Sequence, residues 1–111
     1  MDCLFCKFAT GEIPVAKIAE NDRAFAINDI NPVAPTHILV IPKDHQENAV
    51  ASSKSDPKVL ASIFSLVDEI VIREGLDGYR TLFNTGASAG QSVFHTHLHL
   101  IAGRSLGWPP G

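Results

Sequence analysis

A chain of 111 residues, 45% hydrophobic and 19% charged, is sized for one compact domain over residues 1–111, with a modest core that a second subunit or a metal would help to hold. Its formal net charge of -3 and pI near 5.9, without any run of Lys or Arg, exclude the basic footprint needed to grip a nucleic-acid polymer or an anionic membrane. No apolar stretch is long enough to span a bilayer, and the start MDCLFCKFATGEIP lacks the features of a secretory leader, so the expected setting is cytoplasmic.

The only two cysteines, Cys3 and Cys6, stand as C-x-x-C; half a zinc site, a redox pair and two packed thiols all fit that spacing. Gly11 and Pro14 then punctuate a turn. KIAE and AFAIND read as short strands around the turn-prone Asn21-Asp22, and NPVAPT is a proline-rich connection. THILVIP is the clearest strand. Its alternation puts His37, Leu39 and Ile41 on one side and Ile38 and Val40 on the other, so both faces are largely apolar, as in a central strand.

Asp56 followed by Pro57 predicts a helix start, the carboxylate capping free N–H groups and the proline pre-set at the first position. Leu60, Ile63, Phe64, Val67, Ile70 and Val71 recur at helical spacing, and Gly75 is the natural stop. With Val59 and Leu66 added, the apolar stripe spans about 160°, wider than one sheet requires, and the surplus suits a second subunit. GYRTLFN follows as a strand, TGASAGQS as a Gly-rich loop and VFHTHLHLIAG as the last strand. Strands, one main helix, then strands predict an α+β fold rather than a doubly wound parallel sheet.

In HTHLHLI, the period of two puts His95, His97 and His99 on one strand face, about 6.6 Å apart, with Thr96, Leu98 and Leu100 on the other. Lining a strand face with imidazoles sacrifices apolar burial unless the rings meet a ligand. A phosphate group would use them well, since imidazoles donate hydrogen bonds to oxygens while one nitrogen attacks phosphorus. A metal is the other candidate.

HTHLHLI resembles the signature of the histidine triad proteins, His-φ-His-φ-His-φ-φ with φ apolar, departing from it only at Thr96. The resemblance extends over CLFCKFATGEIP, NDINPVAPTHILVIPKDH, DGYRTLFNTGASAGQSVFHTHLHL and GRSLGWPPG, and is strongest to the nucleotide-binding branch. It implies an α+β homodimer with an antiparallel five-stranded sheet, one main helix and a short N-terminal helix. The implied activity is hydrolysis of the P–N bond of purine nucleoside phosphoramidates, through a covalent nucleotidyl-histidine, with release of a nucleoside monophosphate. Dinucleoside polyphosphate hydrolysis, nucleotidyl transfer, or a non-catalytic nucleotide-binding or zinc-stabilised module are the alternatives.

Carried onto this chain, the resemblance makes His97 the nucleophile, with His99 bonding a phosphate oxygen and His37 orienting the nucleophile from a neighbouring strand. Gly90, Gln91 and Ser92 precede the triad in a loop that can turn N–H groups and a hydroxyl toward an anion, although it is no Walker A loop. Asn84, Asp29 and Ile30 match family positions in the nucleotide site. Asp29 would accept the ribose hydroxyls, and Ile30 with Ile27 would contact a base, adenosine first. Cys3, Cys6, His45 and His95 match a structural zinc set found in some members, with four ligands and no open position. Trp108, in the WPPG tail, would define the leaving-group side from the partner subunit.

Overall fold

The computed structural model describes residues 2–111. A seven-residue helix, α1 (Leu4–Thr10), leads into strands β1 (Ala19–Glu20), β2 (Ala24–Asn28) and β3 (Thr36–Pro42). Helices α2 (Ala49–Ser55) and α3 (Pro57–Glu74) follow, then β4 (Tyr79–Leu82), a single turn at Ala87–Ala89, and β5 (Leu98–Ala102). The five strands form one antiparallel sheet in the order β1-β2-β3-β5-β4. THILVIP is the middle strand, with the boundaries that its alternation predicts.

Period-two alternation gives each face of the sheet its own core. Ala24, Ala26, Ile38, Val40, Leu98 and Leu100 face α3, where Val59, Ile63, Leu66, Val67 and Ile70 meet them. Burying each of these larger side chains contributes roughly 1.5–3 kcal/mol. Phe25, Ile27, Leu39 and Ile41 take the opposite face, where Cys3 and Phe5 of the N-terminal segment cover them. The caps of α3 are those expected: the Lys58 N–H donates to the Asp56 carboxylate at 3.0 Å, Pro57 opens the helix and Gly75 ends it. Arg23 pairs with Asp56 and holds its carboxyl below the usual range.

Two departures from the sequence reading matter for the site. α2 has no counterpart there, because AVASSKS lacks a sustained apolar period; Asn48 starts it by accepting from the Ala51 N–H at 2.9 Å. The last strand is also shorter than VFHTHLHLIAG suggests. Thr96 donates its N–H to Gln46 (2.9 Å) rather than to a neighbouring strand, so the ladder begins only at Leu98. His95 and His97 therefore lie on an extended lead-in, and His99 alone sits within β5. A side-chain bond fastens that lead-in to α2: Ser52 Oγ lies 2.7 Å from Thr96 Oγ1, and both residues are fully buried.

Where β5 ends, Gly103 has φ +95°, and a Cβ there would stand 2.9 Å from the Pro35 Cβ, so only glycine fits this close approach. Among the described residues no helix is long and apolar enough to cross a membrane.

Candidate active site and metal-ligand cluster

Five histidines fall into two groups on the sheet face that α1 covers. His37, on β3, reaches His99 on adjacent β5, with Nε2 2.9 Å from His99 Nδ1. His97 lies beside His99 with ring centres 5.1 Å apart and ring planes tilted by 58°. On the other side of His97, His95 meets His45, Cys3 and Cys6. Phe5 of α1 stands edge-on to both His95 (5.8 Å) and His97 (5.1 Å), joining the two groups.

The triad members share one side chain, yet His97 leaves a different nitrogen free from His95 and His99; a ring nitrogen facing a carbonyl oxygen must donate. His95 Nε2 lies 2.7 Å from the Pro42 carbonyl and donates to it. That leaves His95 Nδ1 bare, 3.4 Å from Cys3 Sγ, 3.5 Å from Cys6 Sγ and 3.1 Å from His45 Nδ1. His97 reverses the pattern: its Nδ1 donates to the His95 carbonyl at 2.8 Å, leaving Nε2 bare.

His99 has the same tautomer as His95, set by a different partner. The Val33 N–H donates to His37 Nδ1 at 3.1 Å, so the His37 ring hydrogen is on Nε2. From there it points to His99 Nδ1, and the hydrogen of His99 is left on Nε2. That atom is buried and is the one buried side-chain nitrogen or oxygen without a partner among the described residues. Burial, reinforced by His97 and His37, pushes the His99 pKa down to about 4, so the ring is neutral at pH 7. Burial, with His45 and His97, also lowers His95.

His97 and His99 open into a cavity of about 370 Å³, within the range of small-molecule sites. Its walls are apolar, built from Leu4, Phe5 and Phe8 of α1 with Val15, Ile27 and Leu39, while Asp29, Asn84, Gly90 and Ser92 border it. Ile30 stands at its rim, 92% exposed. Asp29 directly follows β2; its Oδ1 accepts from the Asn31 N–H (2.8 Å), and its Oδ2 lies 3.3 Å from His37 Nε2. Gly90 takes φ +91° where the loop turns back toward Asn84.

Of the expected contacts, Gln91 is placed differently, while Trp108 is expected beside a partner's cavity and not this one. Gln91 is 4% exposed, and its side chain does not line the cavity. It accepts from the Gly86 N–H and donates to the Glu47 and Val93 carbonyls, while its own N–H goes to Gly86; the residue braces the loop. Trp108 is 84% exposed and borders no part of this cavity. Conversely, the wall supplied by Leu4, Phe5 and Phe8 is absent from the sequence reading. Its only signal is the i, i+3 spacing of the two phenylalanines beside the C-x-x-C pair.

Cys3, Cys6, His45 and His95 bring one ligand atom each to within 4.8 Å of one another, the spacing of a shell around one small ion. Both thiols are free, and burial, with Cys3 nearby, pushes the Cys6 thiol up. A second trio, Asp29, His37 and His99, is equally close. There the hydrogen on His37 Nε2 occupies the position that a metal would need.

Fold and site together define an α+β protein with an imidazole-ended apolar cavity and a separate two-cysteine, two-histidine cluster. The HIT domain family matches residues 10–106, and the chain belongs to that family. It is 45% identical to a HIT family hydrolase of Legionella pneumophila, with a TM-score of 0.92 over 99% of this chain and 100% of that one. It is 40% identical to a 14 kDa zinc-binding protein of Zea mays, over 97% of this chain and 87% of the relative. A histidine triad nucleotide-binding protein of Candida albicans has the same fold at 34% identity, with a TM-score of 0.83 over 97% and 83% of the two chains.

Proposed function

We propose that this chain is a nucleotide hydrolase that cleaves the P–N bond of purine nucleoside phosphoramidates through His97. The observation that carries this reading is the 2.8 Å bond from His97 Nδ1 to the His95 carbonyl, which leaves a bare Nε2 at the cavity end. Neutral imidazole is an effective nucleophile near pH 7. His97 Nε2 attacks the α-phosphorus, the P–N electron pair goes to nitrogen, and the amine leaves as that nitrogen takes a proton from solvent water. Water then replaces the imidazole on phosphorus, giving the nucleoside monophosphate and restoring His97. His99 Nε2–H and the Ser92 hydroxyl donate to the phosphoryl oxygens as negative charge builds there. Asp29 accepts from the ribose hydroxyls, with Ile27 and Ile30 against the base and Asn84 and Gly90 at the phosphate side.

The cysteine-histidine cluster fits structural zinc. With Zn–S of about 2.3 Å and Zn–N of about 2.0–2.1 Å, tetrahedral S···N and N···N edges are about 3.6 and 3.3 Å. Three of the four S···N distances are 3.4–3.5 Å and the N···N distance is 3.1 Å. The Pro42 carbonyl on His95 Nε2 is the kind of outer contact that orients a metal-binding histidine. The ion would tie the N-terminal segment to the sheet and take no part in bond cleavage. The functional unit is a homodimer joined through the outer apolar residues of α3, where Ile72 is 71% and Phe64 46% exposed. In that unit Trp108 borders the partner's leaving-group side.

The test is incubation with adenosine 5′-phosphoramidate, read as release of adenosine monophosphate, with a dinucleoside polyphosphate in parallel. Release by the parent and none by a folded His97→Ala variant is expected. Equal rates from the two would overturn the assignment, and preference for the polyphosphate would replace the substrate class.

A further inference from the structure

We propose that the Val33 main-chain N–H and the Asp29 carboxylate act together as positioning groups that hold His37 in one tautomer and so keep His99 Nε2 a hydrogen-bond donor toward bound phosphate. This rests on reading the cavity as a nucleotide site. Val33 lies in the proline-rich connection between β2 and β3, where its side chain is 56% exposed. Its N–H is directed inward, 3.1 Å from His37 Nδ1. A nitrogen that accepts a hydrogen bond carries no hydrogen, so the hydrogen of His37 is on Nε2. Asp29 enforces the same arrangement from the other side. A carboxylate oxygen 3.3 Å from His37 Nε2 attracts a hydrogen there and repels a lone pair.

Val33 stands four residues before His37 in the chain, the Asp29 carboxylate lies within 4.8 Å of His99, and the tautomer of His37 is passed to His99 by the 2.9 Å approach of His37 Nε2 to His99 Nδ1. With the hydrogen on His37 Nε2, His99 presents Nε2–H to the cavity. In the opposite tautomer, His99 would donate from Nδ1 and turn a lone pair toward the phosphate oxygens, converting attraction into repulsion. The buried, unpartnered state of His99 Nε2 is costly in an empty site, and a ligand acceptor resolves it. Asp29 thereby has a second task beside sugar recognition.

The test reads tautomers directly. In protein carrying 15N-labelled histidine, without ligand at pH 7, both His37 and His99 are expected to show a bare Nδ1 and a protonated Nε2, with a through-bond coupling between the Val33 amide and His37 Nδ1. A missing coupling, or a His99 protonated on Nδ1, overturns the proposal in the unmodified protein. Replacing the Val33 amide by an ester, which removes the N–H, together with Asp29→Asn, should populate the second His99 tautomer; Val33→Ala, which keeps the N–H, should not. A single unchanged tautomer in the doubly altered protein overturns the proposal too. The ester alone should lower kcat about fivefold or more, the scale of one lost hydrogen bond. The tautomer readout needs no turnover, so failure of the proposed chemistry and failure of this lock are separable.

Discussion

The carbonyl of His95 and the Nδ1 of His97 are 2.8 Å apart, and this one contact leaves the Nε2 of a buried imidazole bare. If His97 Nε2 attacks phosphorus, brief reaction with adenosine 5′-phosphoramidate followed by alkaline quenching should leave a nucleotidyl group on the peptide containing His97, found by mass spectrometry. His97→Ala should lower turnover by roughly 10³-fold or more with the fold retained. An adduct on His99 instead would reassign the nucleophile.

Metal content is the second expectation. Elemental analysis of purified protein should give one zinc per chain, and Cys3→Ser or His45→Ala should abolish it. Because the ion would bind only the folded chain, a chelator should lower the melting temperature by about 10 °C. A metal-free protein that melts unchanged with chelator would remove zinc from the account.

Acid should weaken the fold in a defined window. An unfolded chain protonates His99 near its ordinary 6.5, the folded chain only near about 4. Between these values the unfolded state binds more protons, so the stability contributed by the neutral ring is complete above pH 6.5 and is lost as pH falls to 4. In urea unfolding across that range, the parent should lose about 1–2 kcal/mol more stability than His99→Gln after allowance for solvent screening. Parallel curves would contradict it.

Thr96 takes an apolar position of the triad signature, and Ser52 supplies the partner that its hydroxyl needs. Thr96→Val alone should cost about 1–3 kcal/mol, because it strands the buried Ser52 hydroxyl, and Ser52→Ala less, because Thr96 Oγ1 keeps the Gln46 carbonyl at 3.3 Å. The double variant should cost less than the sum. Strict additivity in denaturant titrations would show that the two do not communicate.

Self-association is open to a direct measurement. Sedimentation of the parent should give a dimer, and Ile72→Glu on the outer face of α3 should shift it to monomer. A monomeric parent would leave Trp108 without a partner's site to border.

Much of the frame was legible because periodicity and capping are local. THILVIP and the Asp56–Gly75 helix carry their own boundaries, since alternation and caps are written in neighbouring residues. α2 was not legible: three serines conceal a helix whose stability comes from Asn48 and from Ser52 meeting Thr96 across 44 positions. The triad's spacing pointed to a ligand face, yet not to the separate states of its members. Those depend on the Pro42 carbonyl, the His95 carbonyl and the Val33 amide, main-chain groups that any residue could supply. The bonds of Gln91 to Gly86, Glu47 and Val93 were not legible for a related reason, because an amide in a glycine-rich loop suits a brace as well as a phosphate contact.

Cys3 and His95 are 92 residues apart along the chain and 3.4 Å apart in space. Bringing them together closes almost the entire polypeptide into one loop, an entropic cost that is met only once the intervening strands have paired. A clamp at that junction therefore forms late on the folding route. Its occupancy should slow escape from the native state far more than it speeds arrival.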